Sequence, residues 1–230
     1  MEFSGIQKLS CLDYPGLVAC TVFTNGCNFR CPFCHNAPLV TGSAPERIPE
    51  DEILAYLQKR QGILEGIAVT GGEPLLHPGL KDFLKKVKAL GYKVKLDTNG
   101  SKPAFLKELV EAGLVDKVAM DIKNGPSAYG VTIGVPAVDL SSLEQSKNYL
   151  LSGAVDYEFR TTVVKGLHTQ ASLLEAAQWI AGAKVWYLQC YEARDTVLSP
   201  DGLSSYTSEE LYALVQVLQP HIRTVALRGI

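Results

Sequence analysis

The chain has 230 residues, a formal net charge of −2, 47% hydrophobic and 20% charged residues. This composition excludes a disordered chain, suits one domain with a substantial core over residues 1–230, and provides no global field to attract nucleic acid or an anionic membrane. The opening MEFSGIQKLSCLDYPG lacks a cationic segment followed by an apolar run, and no stretch approaches the roughly 18 apolar residues of a membrane span, so a cytoplasmic protein without nucleic-acid or membrane partners is expected. Six cysteines without a signal peptide point to thiols kept reduced for a metal or for chemistry.

In chain order, FSGIQKLSCLDYPG is predicted to be a short hairpin within residues 1–16, with Asp13-Tyr14-Pro15-Gly16 as turn chemistry. LVACTVFT (17–24) is the first predicted strand of the main sheet. The following loop, 25–49, shows neither helical nor alternating pattern and far exceeds the usual connection of about 4–6 residues. It carries Cys27, Cys31 and Cys34, which marks it as functional.

Beyond residue 50, helix-like and strand-like segments alternate, the signature of a parallel sheet. The helical patterns KDFLKKVKAL, PAFLKELVEA, LEQSKNYLLS and SLLEAAQWIA each end at a glycine, the residue that closes a last helical turn at least cost. Pro103 fits the first turn of its helix. The β-branched and aromatic runs GIAVT, YKVKL, VDKVAMDI, VDYEFRTTVV and AKVWYLQC read as buried strands. With 17–24 they make six parallel strands, and RTVALR (223–228) is a candidate further edge. The count predicts an α/β fold, a full or partial (β/α)6 barrel, with a doubly wound sheet as the competitor that periodicity alone does not exclude.

Cys27-x3-Cys31-x2-Cys34 on a loop can wrap three thiolates around one centre. Zinc in a non-enzymatic binding module and an iron–sulfur cluster are equally compatible with that spacing. A structural zinc site wants a fourth ligand, and His35, directly after Cys34, is poorly placed to reach the same ion. A four-iron cluster on three thiolates would keep one iron open for a substrate or cosubstrate.

With Phe33 before the last cysteine, the motif resembles that of the radical S-adenosylmethionine (SAM) enzymes. Thr70-Gly71-Gly72-Glu73-Pro74, after the second main strand, is similar to their second hallmark, which contacts the amino end of SAM. The resemblance implies a barrel with a [4Fe-4S] cluster on Cys27, Cys31 and Cys34. It also implies SAM on the open iron and reductive cleavage of the S–C5′ bond to a 5′-deoxyadenosyl radical.

Leu96-Asp97-Thr98-Asn99-Gly100 and Met120-Asp121-Ile122-Lys123 end the next two strands, on the face where barrel loops build active sites. Taken with LDYPG and CNFRCPFCHN, they resemble the activating enzymes of glycyl radical enzymes. The resemblance implies SAM contacts at Asp97, Thr98, Asn99, Asp121 and Lys123, and a monovalent-cation site at Asp97, Thr98, Met120 and Asp121, where oxygen ligands from Asp and Thr suit a hard cation. Arg160 corresponds to an arginine near SAM. At the sixth strand the pyruvate formate-lyase type carries Pro-Tyr-His, whereas this chain reads Leu188-Gln189-Cys190-Tyr191-Glu192, leaving Gln189 as the candidate for the ribose contact. That departure favours the type that activates anaerobic ribonucleoside-triphosphate reductase.

The implied partners are a glycyl radical enzyme and a flavodoxin- or ferredoxin-type reductant. A small-molecule radical SAM enzyme, such as a 7-carboxy-7-deazaguanine synthase, is the rival. Cys11, Cys20 and Cys190 form no second short-spaced motif and read as ordinary thiols. His35, His77 and His168 are expected to be solvated or backbone-bonded rather than catalytic.

Overall fold

A computed structural model describes residues 1–43 and 47–229, so positions 44–46 of the predicted 25–49 loop lie outside the described residues. The strands are β1 (Glu2–Phe3), β2 (Gly5–Ser10), β3 (Ala19–Thr24), β4 (Ile48–Pro49), β5 (Gly66–Gly71), β6 (Lys93–Thr98), β7 (Lys117–Asp121), β8 (Asp156–Val163), β9 (Trp186–Cys190) and β10 (Val225–Arg228). Eight of them form one sheet in the order β10-β9-β8-β7-β6-β5-β3-β2. Neighbours from β3 to β10 run parallel. Their spatial order follows chain order without reversal, whereas a doubly wound sheet turns back at a switch point. The competitor is thereby removed, and the six predicted parallel strands gain β10 as their edge.

The N-terminal hairpin is larger than residues 1–16. β2 pairs antiparallel with β3, so the second arm of the hairpin is the first strand of the parallel set. Residues 2–3 clip instead onto β4, at the far end of the cysteine loop. The alternation in GIQKLS is too weakly apolar to show which strand it joins.

The helices are α1 (Ala37–Thr41), α2 (Glu50–Lys59), α3 (Leu80–Ala89), α4 (Pro103–Glu111), α5 (Tyr129–Thr132), α6 (Leu140–Leu151), α7 (Gln170–Trp179) and α8 (Ser208–Leu218). Helix α1 corrects the expectation of a patternless 25–49 loop. Its five residues are too few to display a helical period. Gly113 closes α4 as predicted, with φ +68° and its N–H donating to the Val110 carbonyl at 2.9 Å. Among the described residues, no helix is long and apolar enough to cross a membrane.

Alternation along the strands separates two environments. Val22, Val69, Leu96, Val118, Met120, Phe159, Trp186 and Leu188 point to the helices and are buried in the main core. Each contributes about 1.5–3 kcal/mol of transfer free energy. The intervening positions are polar: Asp97, Asp121, Arg160, Thr162 and Gln189 face the opposite side, where a cavity lies. Strands that read as hydrophobic runs therefore carry charge along one face, and that face holds the chemistry.

Candidate active site

The C-terminal ends of β5 to β9 and the cysteine loop after β3 surround one cavity of about 230 Å³. It is lined by Cys27, Cys31 and Cys34, by Phe33, Gly71 and Gly72, and by Asp97, Thr98, Asn99, Asp121, Lys123, Arg160 and Gln189. Thus thirteen positions singled out in the sequence, scattered over six strand ends, meet around a single space.

Three do not line it. Glu73 is fully buried beneath the cavity wall. Its Oε1 accepts from Thr98 Oγ1 at 2.7 Å and from Leu75 N–H at 3.1 Å, and its Oε2 accepts from Asn99 N–H at 2.6 Å. Pro74 starts a short 3-10 turn behind it. Glu73 and Pro74, expected at the cofactor, do not line the cavity, and the Glu73 carboxylate braces the neighbouring loop. Burial pushes the Glu73 carboxyl up to about 7 despite those hydrogen bonds. Met120 is the third. Its side chain is buried on the helix side of β7, and Met120 Cε lies 2.2 Å from where a Cβ on Gly100 would stand.

The cysteine loop is held from both flanks. Arg30 N–H donates to the Ile133 carbonyl at 2.8 Å on one side, while Leu198 N–H and Ser199 N–H donate to the Cys34 and Pro32 carbonyls at 3.1 and 2.9 Å on the other. Phe29, Cys31 and Phe33 share a second buried apolar cluster with Tyr129, Ile133, Val164, Tyr191 and Val197. The segment 191–206, to which sequence reasoning assigned no function, is therefore a strap across the cysteine loop. Phe33 both lines the cavity and packs edge-on to His168, with ring centroids 6.2 Å apart.

The polar half of the cavity is an ion-pair ladder. Lys95 Nζ donates to Asp97 Oδ1 at 2.5 Å, Arg160 spans Asp97 and Asp121 at 3.0 Å each, and Lys123 Nζ donates to Asp121 Oδ2 at 2.8 Å. Burial raises both carboxyls, but the adjacent cations outweigh it: Lys123 and Arg160 hold Asp121 down to about 2, and Arg160 and Lys95 hold Asp97 below its usual range.

His168, expected to be solvated or backbone-bonded, is bonded to backbone through both ring nitrogens. Its Nε2 lies 2.7 Å from the Lys123 carbonyl, and its Nδ1 accepts from Val164 N–H at 3.1 Å, which makes Nε2 the protonated nitrogen. His168 thus anchors the backbone that carries Lys123. His77 Nε2 similarly lies 2.7 Å from the Asn25 carbonyl at the loop entry, and His35 stacks on Tyr191 at 5.6 Å. Apart from the Val164 bond to His168, contacts distant in sequence create these roles, and no local signal reveals them.

Among the described residues, no three His, Cys, Asp or Glu side chains converge closely enough to ligate one metal ion. The three thiols are therefore not gathered on one point as a mononuclear zinc site would have them. A cluster, each of whose corners takes one thiolate, suits three cysteines spread around a cavity wall. Burial pushes the Cys31 thiol up to about 12 and raises Cys27 as well, so metal loading must displace protons.

The fold and site define a partial α/β barrel that gathers three cysteines and an ion-pair ladder around one cavity at its strand ends. Residues 21–139, more than half of the chain, match the model of the Radical SAM superfamily, and the chain belongs to that superfamily. It is an enzyme of the radical SAM type, for which the family implies a [4Fe-4S] cluster and SAM. A protein of Methanocaldococcus jannaschii with the provisional name glycyl-radical enzyme activating enzyme is 28% identical over 99% of this chain and 95% of its own length. A 7-carboxy-7-deazaguanine synthase of Koribacter versatilis is 31% identical over 64% of this chain and 62% of its own length. Among solved structures, Streptococcus suis SuiB bound to the precursor peptide SuiA superposes with TM-score 0.72 at 14% identity, covering 91% of this chain and 48% of SuiB. That likeness concerns the fold.

Proposed function

We propose that this protein is a radical SAM activating enzyme that abstracts a hydrogen from a glycine Cα of a partner enzyme and leaves a stored glycyl radical there. The observation that carries the reading is the end-to-end similarity, 99% of this chain and 95% of the relative, to a protein provisionally named as such an activator. The joint presence of CNFRCPFCHN, GGEP, LDTNG and MDIK supports it. The departure at Leu188–Glu192 favours anaerobic ribonucleoside-triphosphate reductase as the partner, and the electron comes from a flavodoxin- or ferredoxin-type protein.

In this reading the whole chain, 1–230, acts as one radical SAM core. Cys27, Cys31 and Cys34 hold the cluster. Gly71 and Gly72 bring backbone groups to the amino end of SAM, and Lys123 receives its carboxylate. Asn99 and Gln189 offer amides to the nucleoside, and Phe33 offers a ring. Bound cluster and SAM supply the radical chemistry; the chain orients them and excludes water.

A second reading, a small-molecule radical SAM enzyme, draws on the 31% identity to the deazaguanine synthase. One anaerobic experiment separates the two. Reconstituted protein is reduced with SAM, and 5′-deoxyadenosine is measured with and without candidate partners. An electron paramagnetic resonance doublet of a glycyl radical on one partner supports the activator. Consumption of a small molecule with no such doublet on any partner supports the second reading instead.

A further inference from the structure

We infer that the Arg160 guanidinium occupies the position the resemblance assigns to a monovalent cation, so that SAM binding here needs no added sodium or potassium. The inference rests on the cavity being the SAM site.

Two carboxylates at neighbouring strand ends would ordinarily attract a hard cation. Here Arg160 already bridges them. Arg160 reaches from β8 across β7 to β6: Nη2 and Nε donate to Asp121 Oδ1 at 3.0 and 3.2 Å, and Nη1 donates to Asp97 Oδ2 at 3.0 Å. The two remaining carboxylate oxygens accept from Lys95 at 2.5 Å and Lys123 at 2.8 Å. All four oxygens therefore already face a cationic N–H. Thr98 Oγ1 donates to Glu73 and accepts from Gly100 N–H at 3.1 Å. The Met120 side chain lies on the other face of the strand, buried in the apolar core.

Lys95, Arg160 and Lys123 oppose Asp97 and Asp121. A sodium or potassium ion would be a fourth positive charge beside two carboxylates, and it would have to displace a rigid, bidentate fork delivered by the chain itself. Without it the ladder keeps one positive charge in excess next to Lys123, which complements the carboxylate of an amino acid. The Asp97 and Asp121 side chains, bridged by Arg160 and flanked by two lysines, thus offer a poor fit to a resident cation.

The test compares tetramethylammonium, sodium and potassium chlorides at equal ionic strength. Two readouts are used: melting temperature of the cluster-free protein, and SAM affinity of the reconstituted protein by equilibrium dialysis. For the wild type, neither should respond to the choice of cation. In Arg160→Gln the carboxylates lose their bridge. SAM affinity in tetramethylammonium should then fall about tenfold or more, with partial recovery in sodium or potassium. Wild-type melting or SAM affinity that rises about tenfold-equivalent with sodium or potassium overturns the inference while leaving the site assignment intact. A folded Arg160→Gln protein with no cation response also overturns it. Failure of SAM to bind in every salt refutes the site assignment instead, and the melting data still decide whether a cation binds.

Discussion

The Glu73 carboxylate accepts the Asn99 backbone N–H at 2.6 Å, joining the turn after β5 to the turn after β6. With the bonds from Thr98 and Leu75 it fixes two cavity walls relative to each other. Glu73→Ala would leave those donors buried and unpaired, at a cost of about 2–4 kcal/mol in denaturant unfolding. Glu73→Gln keeps an acceptor and should cost less. An alanine variant as stable as the wild type would refute the brace.

The same group sets a pH dependence. Its folded pKa is raised from the ordinary 4.5 to about 7, so between these values the native state holds a proton that the unfolded chain has lost. The stability from this group is present below about 4.5 and declines as pH rises through about 7. The stability advantage of wild type over Glu73→Gln should therefore shrink from about pH 5 to about pH 8. Asp121, with its pKa lowered to about 2, titrates in a separate acidic window. Buried His168 is lowered in both proteins and cancels in the difference. A gap that stays flat or widens with pH contradicts the assignment.

Replacing Cys27, Cys31 or Cys34 singly with alanine should abolish SAM cleavage and strip most of the iron from the anaerobically reconstituted protein. Cys11 is exposed and Cys20 lies in the sheet–helix core. Alanine at either should leave about four irons per chain. Iron near eight per chain in the wild type would reveal a second cluster and contradict the one-cluster reading.

Gly72 approaches the loop entry so closely that a Cβ there would stand 1.8 Å from the Gly26 carbonyl oxygen. That carbonyl also accepts Glu73 N–H at 2.8 Å, immediately before Cys27. Gly72→Ala should push the two loops apart, destabilise the fold by about 1–3 kcal/mol and reduce cluster loading. Unchanged melting together with full iron content would show that the contact is soft.

Lys123→Met removes the ammonium at the cavity while preserving most of the side-chain volume. SAM affinity should fall about tenfold to a hundredfold, the loss expected for one charge-assisted hydrogen bond. Equilibrium dialysis measures it. An unchanged affinity would place the SAM carboxylate elsewhere.

The sequence by itself determined the parallel strands and the local motifs, because period-two runs, helix-ending glycines and closely spaced cysteines are written within a few residues of each other. Cys27, Cys31 and Cys34 are legible in this way, and so are Asp97 and Asp121 at strand ends. The tertiary structure alone decided which of these groups are free to act. Glu73 and Met120 belong to the same local motifs as their neighbours, yet one is spent on Asn99 and the other faces the helices. Arg160 meets Asp97 and Asp121 only because β6, β7 and β8 lie side by side. The strap 191–206 and the His168 bond to Lys123 bridge segments separated by more than 40 residues. Such pairings depend on three-dimensional neighbours, which local sequence patterns do not encode.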